Sequence, residues 1–327
     1  MENRPFDVEC RQTGLIHDPR IHRSGKRAAH PASKRGVRMI RPLSSSVLIV
    51  GSAAIDTIVQ GENRARKIGG VVTYAGLTFR KLGLDVTALT NISRRDGSVF
   101  LPCMEEGVKF IRGETVLTTR FVNHLEGGHR WQEMVRKARR IDPKRFYPQI
   151  RLFSHIHLGP LHPDDFHPDF LTYVRSPSRL VTLDLQGYVR RVRGKRVEAG
   201  VSKHLLSALH AADVVKAGVR ELETVLDTYR METEDLVRRF GLDELLVTSG
   251  RGGGFLLNSE KGEFPYDARK ADEERDPTGA GDVFFAAYLF HRFHQGRSPA
   301  ESLNAASVIA ARQVAGAYIP FESLEIH

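Results

Sequence analysis

The stretch that decides the fold is Asp276-Pro277-Thr278-Gly279-Ala280-Gly281-Asp282, and an apolar run over residues 283–293 follows it directly. Small residues between two carboxylates allow a tight turn whose backbone NH groups point at one place, and a helix start adds its positive dipole end. Such a nest binds an anion, and the carboxylate of Asp282 at its edge can take a proton from an attacking hydroxyl. The stretch therefore predicts phosphoryl transfer, with an ordinary helix capped by Asp282 as the structural alternative.

This stretch resembles the C-terminal signature of the ribokinase family, also called the phosphofructokinase B (PfkB) family of carbohydrate kinases. The similarity extends over residues 46–320 and implies an α/β fold: a doubly wound, mostly parallel sheet with helices on both faces and a small β-sheet lid. It also implies that Asp282 is the general base and that the NH groups of Gly279, Ala280 and Gly281 form the anion hole. Asp276 and Thr278 would then belong to the loop that holds the nucleotide phosphates.

The motifs for the acceptor lie near the start of the similarity. The strand at 47–50 leads to Asp56, in the position of the acid that binds substrate hydroxyls in the family. Gly69 and Gly70 match the family's Gly-Gly motif, and Tyr74 stands where many members carry an Asn. The resemblance implies that these four residues contact the acceptor.

The motifs for the nucleotide lie in the second half of the chain. Thr248, Gly250 and Gly253 match a Thr-x-Gly-x-x-Gly loop that lines the nucleotide phosphates, and Lys216 opens the next motif. In that motif, residues 216–221 take the place of Asn-x-x-Glu. Glu221 is kept there and Gly218 replaces the Asn. The resemblance implies that Glu221 organises magnesium.

A further motif is Asp184-Leu185-Gln186 with Arg190, which is similar to an Asp-x-Asn-x-Arg strand end in which Gln186 replaces the Asn. The resemblance implies that Gln186 contacts the acceptor.

Two extended, polar-alternating segments, 56–67 and 115–136, interrupt the alternation of strands and helices and predict a small β-sheet. In the family such insertions form the lid. Arg130 and Gln132 flank Trp131, so both would point to one face and could reach the acceptor, while a solvent-facing polar pair is the alternative. The exposed sheet edge of the lid also suggests a homodimer.

Elsewhere the pattern predicts a parallel sheet with helices on both faces. Strands are predicted at 47–50, 86–89, 152–156, 180–183, 214–216 and 245–248, and helices at 73–82, 280–293 and 299–314. His155 and His157 alternate on one predicted strand, where they could ligate a metal or where His157 could lie near the acceptor.

The net charge of +10 is concentrated at the N-terminus, where residues 1–45 hold ten Lys or Arg against four acids. This segment has little apolar periodicity, so we predict a solvated, disordered extension, or a true start near Met39, rather than a nucleic-acid arm. No apolar run suits a membrane span or a signal peptide, and two cysteines without a metal or redox spacing favour the cytoplasm.

The sequence therefore predicts an ATP- and Mg²⁺-dependent kinase that phosphorylates a hydroxyl of a small sugar or cyclitol. A nucleoside kinase is the alternative if Tyr74 or Phe121 stacks on a base. A second alternative, of another class, is a catalytically weak ligand-sensing or nucleic-acid-associated protein. A dinucleotide-dependent oxidoreductase is excluded because no Gly-x-Gly-x-x-Gly turn follows the first strand.

Overall fold

The computed structural model describes residues 43–126, 129–167 and 169–326. The strands are β1 (Ser46–Gly51), β2 (Ala54–Gln60), β3 (Asn63–Gly69), β4 (Asp85–Thr90), β5 (Lys109–Arg112), β6 (Thr119–Glu126), β7 (His129–Arg136), β8 (His155–Gly159), β9 (Leu180–Asp184), β10 (Arg190–Arg193), β11 (Arg196–Ala199), β12 (Val214–Gly218), β13 (Glu244–Thr248), β14 (Gly254–Asn258) and β15 (Gly262–Tyr266). The helices are α1 (Val71–Lys81), α2 (Leu101–Glu105), α3 (Pro143–Ile150), α4 (Phe170–Val174), α5 (Leu205–Ala211), α6 (Val219–Tyr229), α7 (Thr233–Phe240), α8 (Ala280–Leu289) and α9 (Pro299–Val314).

The larger sheet has nine strands in the order β15-β14-β13-β12-β9-β8-β1-β4-β5. The seven strands β13, β12, β9, β8, β1, β4 and β5 are parallel. The hairpin β14-β15 pairs antiparallel with β13 and forms one edge of the sheet. From β1 the chain goes to β4 on one side and later to β8 on the other. In open α/β sheets, ligands bind at the carboxyl ends of the strands near such a switch point.

Each face of this sheet carries its own hydrophobic core. Val47 and Ile49 of β1 pack with α1, α8 and α9, while Leu48 and Val50 face α3 to α7 on the other side. Every second residue of a strand points to the same face, so a strand that is apolar throughout must be covered on both sides. The predicted fold class is confirmed.

The smaller sheet has six strands in the order β10-β11-β7-β6-β2-β3. The hairpins β2-β3 and β6-β7 come from the two segments predicted to form a small sheet. The third hairpin, β10-β11, was not predicted; it follows the Asp184 motif and joins β7 at Arg196 and Glu133. Four Lys or Arg out of the six residues from Arg191 to Arg196 make its sequence look like a solvated loop.

The C-terminal segment covers part of the edge strand β3. Ile326 N donates to Arg66 O at 2.8 Å, and Glu325 forms a bridge with Lys67. The lid edge that the sequence suggested for a homodimer is therefore partly occupied within the chain. Dimerisation stays a prediction.

Most predicted boundaries agree with the structure, and two are wrong. β8 begins at His155 rather than at residue 152, because residues 151–152 form a turn after α3. The helix predicted over 280–293 is α-helical only to Leu289 and continues as a π-turn over Phe290–His294. The predicted N-terminal extension lies outside the described residues as far as residue 42, and the domain limits stay predictions. Across the described part of the chain, no helix combines the length and apolarity required for a membrane crossing.

Candidate active site

The nest forms at the start of α8. Gly279 is the N-cap residue with φ +76°, a left-handed conformation that favours glycine. The NH of Ala280 donates to Pro277 O at 3.2 Å, so this predicted anion-hole donor already has an acceptor. Within the described residues, the NH groups of Gly279 and Gly281 have no backbone acceptor. The geometry therefore leaves these two groups and the helix dipole to bind an anion.

Asp282 lies in the first turn of α8, and its surroundings shift the pKa of its carboxyl group. Burial raises its pKa to about 7, and the charges of Asp184 and Glu221 add to this, whereas Lys216 and Arg190 oppose it. A carboxylate with a pKa near neutrality is matched to proton abstraction at physiological pH.

Lys216 forms an ion pair with Asp184, one of the acids around Asp282. It is buried in the middle of β12, and its Nζ donates to Asp184 Oδ2 at 2.9 Å. Burial alone would lower the pKa of Lys216, but the carboxylates of Asp184, Glu221 and Asp282 raise it overall. A Cβ on Gly281 would lie 3.4 Å from the Lys216 Nζ. The ammonium group is therefore beside the nest and stays charged.

Glu221 stands in the first turn of α6, where its Oε2 accepts from Gly218 N at 2.7 Å in a capping box. One carboxylate oxygen thus holds the start of the helix, and its charge still acts on Lys216, Arg190 and Asp282.

The loop predicted to line the nucleotide phosphates follows β13. Thr248 ends that strand, and Gly250 and Gly253 have φ of +54° and +76°. A Cβ on Gly253 would overlap the Tyr266 carbonyl oxygen, so the close approach of β15 requires glycine there. The loop also carries Arg251, which pairs with Glu274 just before the nest.

The residues predicted to bind the acceptor lie on β2, β3 and the start of α1. Asp56 is 8% exposed, and burial raises its pKa to about 6 even though Lys67, Arg190 and Arg130 act in the opposite direction. A Cβ on Gly69 would overlap Asp56 Oδ2, and Gly70 has φ +87° and would place an added Cβ against Ser52 O. Both glycines of the motif are therefore required by the packing.

An ion pair between Lys67 and Asp276 joins the two halves of the site. Lys67 lies opposite Asp56 in the β2-β3 hairpin, and Asp276 also accepts from Thr278 N at 2.8 Å. Burial would raise the pKa of Asp276, but these hydrogen bonds and the Lys67 charge lower it. The loop of the nest is thus tied to the smaller sheet, and the backbone NH of Thr278 is already paired within that loop.

Tyr74 lies between the two halves. Its side chain is 2% exposed, and a Cβ on Gly279 would overlap its ring. Burial and the charges of Asp56, Asp276 and Asp282 raise its pKa well above the usual value.

Arg130 and Gln132 occupy the face of the lid sheet that carries Asp56. Residues paired across a ladder share a face, and the pairs are Asp56 with Phe121, Asn123 with Gln132 and Leu125 with Arg130. Gln132 donates to Asn123 Oδ1 at 2.9 Å, and the charge of Arg130 reaches Asp56. The structure therefore brings both residues to the inner face of the lid.

Three side chains of the site had no assigned role in the sequence analysis: Asp184, Arg190 and Lys67. The first two frame the quoted Gln186 motif, in which Gln186 itself contributes a backbone NH to Asp184 Oδ1 at 3.1 Å. Arg190 Nη1 donates to Leu161 O at 3.3 Å, and its charge acts on Asp56 and Asp282. The motif itself was the signal for these two, whereas Lys67 could be found only from the hairpin register.

The histidines lie in the core. His157 Nδ1 and His155 Nε2 lie 2.9 Å and 3.1 Å from Thr182 Oγ1, and both rings pack against Phe79. Burial lowers the pKa of His157 to about 4. In the part of the chain that the structure describes, no group of three or more His, Cys, Asp or Glu residues is placed to hold a metal ion.

Comparison with known proteins supports the family resemblance. Residues 183–319 match the model of the pfkB family carbohydrate kinases. The matched segment contains the nest, Lys216, Glu221 and the loop after β13. The chain carries a pfkB family domain, and the resemblance found in its motifs is confirmed. A curated relative, the cytidine kinase of Thermococcus kodakarensis, is 24% identical over 255 residues, which cover 74% of this chain and 87% of the relative.

Solved structures share the fold. A pyrophosphate-dependent kinase in the ribokinase family, complexed with a pyrophosphate analog and myo-inositol, has a TM-score of 0.71 and 21% identity over 82% of this chain and 95% of its own. The ribokinase of Arabidopsis thaliana, complexed with ribose and ATP, has a TM-score of 0.66 and 18% identity over 85% of this chain and 95% of its own.

Proposed function

We propose that this chain transfers the γ-phosphoryl group of ATP to a small sugar or cyclitol. The premise is that a chain with a pfkB family domain is a phosphotransferase acting on a hydroxyl group. The observation that carries the proposal is Asp282, a buried carboxylate with a pKa of about 7 at the edge of the nest. Lys216 supports it too, because its ammonium group lies beside the nest and its charge acts on Asp282.

In the reaction, Asp282 takes the proton of the attacking hydroxyl. The bond from that oxygen to phosphorus forms while the bond from phosphorus to the leaving phosphate oxygen breaks, and the leaving group keeps the electron pair. The NH groups of Gly279 and Gly281 and the α8 dipole stabilise the charge on the transferred group. Lys216 adds a fixed positive charge there, which its bond to Asp184 holds in place.

The residues also suit magnesium bound through substrate phosphates. Mg²⁺ keeps several waters and takes one or two protein carboxylates, so it does not need a cage of protein ligands. Glu221, whose Oε2 is fixed by Gly218 N, would hold the ion, which supplies charge neutralisation between the phosphates. Thr248, Gly250, Gly253, Asp276 and Thr278 would line the phosphate path on the donor side.

The acceptor would lie between the nest and the lid sheet. Asp56 binds its hydroxyls, with Gly69 and Gly70 giving room, and Tyr74, Arg130 and Gln132 complete the wall. Gln186 has a smaller part, since its backbone rather than its side chain is engaged with Asp184. The lid sheet would cover this pocket and exclude water.

Pyrophosphate is the second candidate donor, because a structural neighbour is a pyrophosphate-dependent kinase. The nest and Lys216 bind phosphate groups, and neither requires the adenine ring of a nucleotide. Replacing ATP by pyrophosphate in the same assay separates the two donors.

A nucleoside is the second candidate acceptor, because the curated relative is a cytidine kinase. A nucleoside kinase was predicted if a nucleobase stacks on Tyr74 or Phe121. Such stacking has weak support, since each of these residues is only 2% exposed. Sugars and cyclitols therefore come first.

The test is ADP release with ATP and Mg²⁺ across pentoses, hexoses, inositols and nucleosides, with Asp282→Asn beside the wild type. A general base contributes about 10²- to 10⁴-fold, so the variant should lose that much. Asp272→Asn, an exposed acid of the same loop, is the matched control and should keep full activity. Full activity in Asp282→Asn contradicts the assignment, and ATP binding without transfer to any acceptor favours a ligand-sensing role.

A further inference from the structure

A buried carboxylate with no part in the mechanism lies at the carboxyl ends of the neighbouring strands β1 and β8. It is Asp165, in the loop that follows β8. Its Oδ1 accepts from Ser52 Oγ at 2.5 Å and lies 2.8 Å from His162 Nε2, and its Oδ2 accepts from Leu161 N at 2.6 Å. Burial would raise the pKa of Asp165, but His162 and these hydrogen bonds lower it overall. The side chain is therefore ionised at neutral pH.

The partners of Asp165 come from two segments of the chain. Ser52 lies in the connection between β1 and β2, whereas Leu161 and His162 belong to the loop after β8. His162 Nδ1 accepts from a backbone NH of the same loop, that of Asp164, at 3.1 Å. A buried charge is tolerated where fixed groups compensate it, and here the compensating groups also hold the two segments together.

Leu161 connects this cluster with the candidate active site. Its backbone N donates to Asp165, and its carbonyl oxygen accepts from Arg190 Nη1 at 3.3 Å. A Cβ on Gly70 would lie 3.4 Å from Leu161 Cδ1, so the same residue also packs against the Gly-Gly motif. A movement of Leu161 would therefore reach Arg190 and the start of α1.

Arg190 is the cation at the end of this chain of contacts. Burial raises the pKa of Asp56 and of Asp282, and the charge of Arg190 opposes that rise at both carboxyl groups. A guanidinium group has five donors on a long side chain, and fixed acceptors decide where its charge lies. The other charges that act on Asp282 are those of Asp184, Lys216 and Glu221.

We propose that Asp165 is a positioning residue, which fixes Leu161 through its backbone NH and thereby holds Arg190 in the active site. Asp165 itself takes no part in proton or phosphoryl transfer. The effect on turnover rests on the proposed function, whereas the effect on Arg190 and its neighbours exists without substrate.

A purely structural role of Asp165 makes a different prediction. Loss of the buried carboxylate would then lower the free energy of unfolding and leave the titration of the active site unchanged. If Asp165 positions Arg190, its loss weakens the charge that opposes the raised pKa of Asp282. The base then titrates at a higher pH.

The test is the pH profile of kcat/KM for wild type, Asp165→Asn and the control Asp164→Asn. Asp164 is the adjacent residue, and its carboxylate pairs with Lys137 and Arg140 at the surface. Ser52→Ala is the second variant, because it removes one hydrogen bond and keeps the carboxylate. Thermal melts establish which variants are folded.

We expect Asp165→Asn to move the midpoint of the profile upwards by about half a pH unit or more, since a nearby opposite charge shifts a carboxyl pKa by about 1 to 3 units. Ser52→Ala should move it in the same direction by less, and Asp164→Asn should keep the wild-type midpoint. An unshifted midpoint in every folded variant of Asp165 and Ser52 overturns the proposal.

A double-mutant cycle with Arg190→Gln tests the route of the effect. If Asp165 acts through Arg190, then Asp165→Asn should change kcat/KM far less in the Arg190→Gln background than in the wild type. Equal fold-changes in the two backgrounds overturn the proposal.

Urea unfolding separates this proposal from the proposed function, because it requires no substrate. The difference in unfolding free energy between a protein and its Asp282→Asn derivative, followed over pH, reports the titration of Asp282. A titration that Asp165→Asn moves upwards, without turnover of any compound, contradicts the kinase proposal and leaves the positioning proposal standing. Turnover with a titration that Asp165→Asn leaves in place overturns the positioning proposal alone.

Discussion

The nest and the lid sheet meet over one site, but they are built in different ways. The nest is one run of seven residues whose anion donors are backbone NH groups. The predicted acceptor side is assembled from side chains on β2, β3, α1 and β7, which are distant in the sequence and are brought together by strand register and helix packing. An anion site made of backbone NH groups is therefore encoded by a short segment of sequence, whereas the predicted recognition of the acceptor depends on the packing of the whole fold.

The two regions also differ in their charge balance. Lys67 is paired with Asp276 between lid and loop, while at the nest the charges of Asp184 and Glu221 add to the effect of burial on Asp282, and Lys216 and Arg190 oppose it. Burial and the neighbouring carboxylates thus make the ionised form of Asp282 unfavourable in the folded protein. We therefore expect the nest, rather than the lid, to lower the free energy of unfolding. The following experiments test that contrast, from the largest expected effect to the smallest.

Asp282→Asn should stabilise the protein. The pKa of Asp282 is raised to about 7 in the fold from near 4 when unfolded, so the ionised form is disfavoured by folding. This penalty is absent below about pH 4, grows as the pH rises and is complete above about pH 7. Removing the charge should therefore add about 2 to 4 kcal/mol at pH 8. Urea unfolding at pH 8 and pH 5 checks this, and a gain that does not shrink at pH 5 contradicts the origin in Asp282.

Gly279→Ala should lower kcat/KM by about 10²-fold, because a Cβ there would push Tyr74 and displace the nest by a fraction of an ångström or more. Gly262→Ala is the matched control. It has a similar φ of +82°, but nothing lies within 4 Å of the added Cβ. Steady-state kinetics should find the control fully active at about 1 kcal/mol lower stability. Similar losses of activity in both variants would show that backbone strain alone is responsible.

Activity should fall about tenfold between pH 8 and pH 6. Asp282 acts as a base only when ionised, and with a pKa of about 7 the ionised fraction decreases through that interval. A pH profile of kcat/KM measures it. The residual activity of Asp282→Asn should lack this titration, and a flat wild-type profile would argue against Asp282 as the base.

Lys67→Met should destabilise the protein by about 1 kcal/mol, since it leaves Asp276 without its cation in a partly buried site. A double-mutant cycle with Asp276→Asn should give a coupling free energy above about 0.5 kcal/mol. The exposed pair Arg238–Asp235 on α7 is the control, with an expected coupling below that value. Equal coupling in the two pairs would mean that the link between lid and loop has no special strength.

The fold could be predicted in large part because its signals are local. The helix predicted over 299–314 agrees with α9, which starts at the Ser298 capping box and Pro299. The nest was predicted from one seven-residue run, in which Thr278 and small residues lie between the carboxylates of Asp276 and Asp282. β8 was placed too early because Leu152, which is exposed in a turn, extended an apolar run.

The candidate site was only partly predictable. The partners Lys67 and Asp276 are separated by 209 positions, and nothing in either local sequence indicates the other. The β10-β11 hairpin was missed because its basic residues hide the cross-strand pair of Val192 and Val197, of which Val197 packs against the core. Tyr74 was identified as a departure from the family pattern, but its contact with Gly279 requires the packing of α1 on α8.

The ion pair between Lys67 and Asp276 has a consequence for the evolutionary history of such chains. A mutation at either position leaves a partly buried charge behind, so the two positions should be inherited together and should change together. Homologues that have lost the lysine are expected to have replaced the aspartate as well, or to have acquired a different cation on the neighbouring strand. An alignment deep enough to detect covariation would then carry a record of how the lid became attached to the phosphate loop.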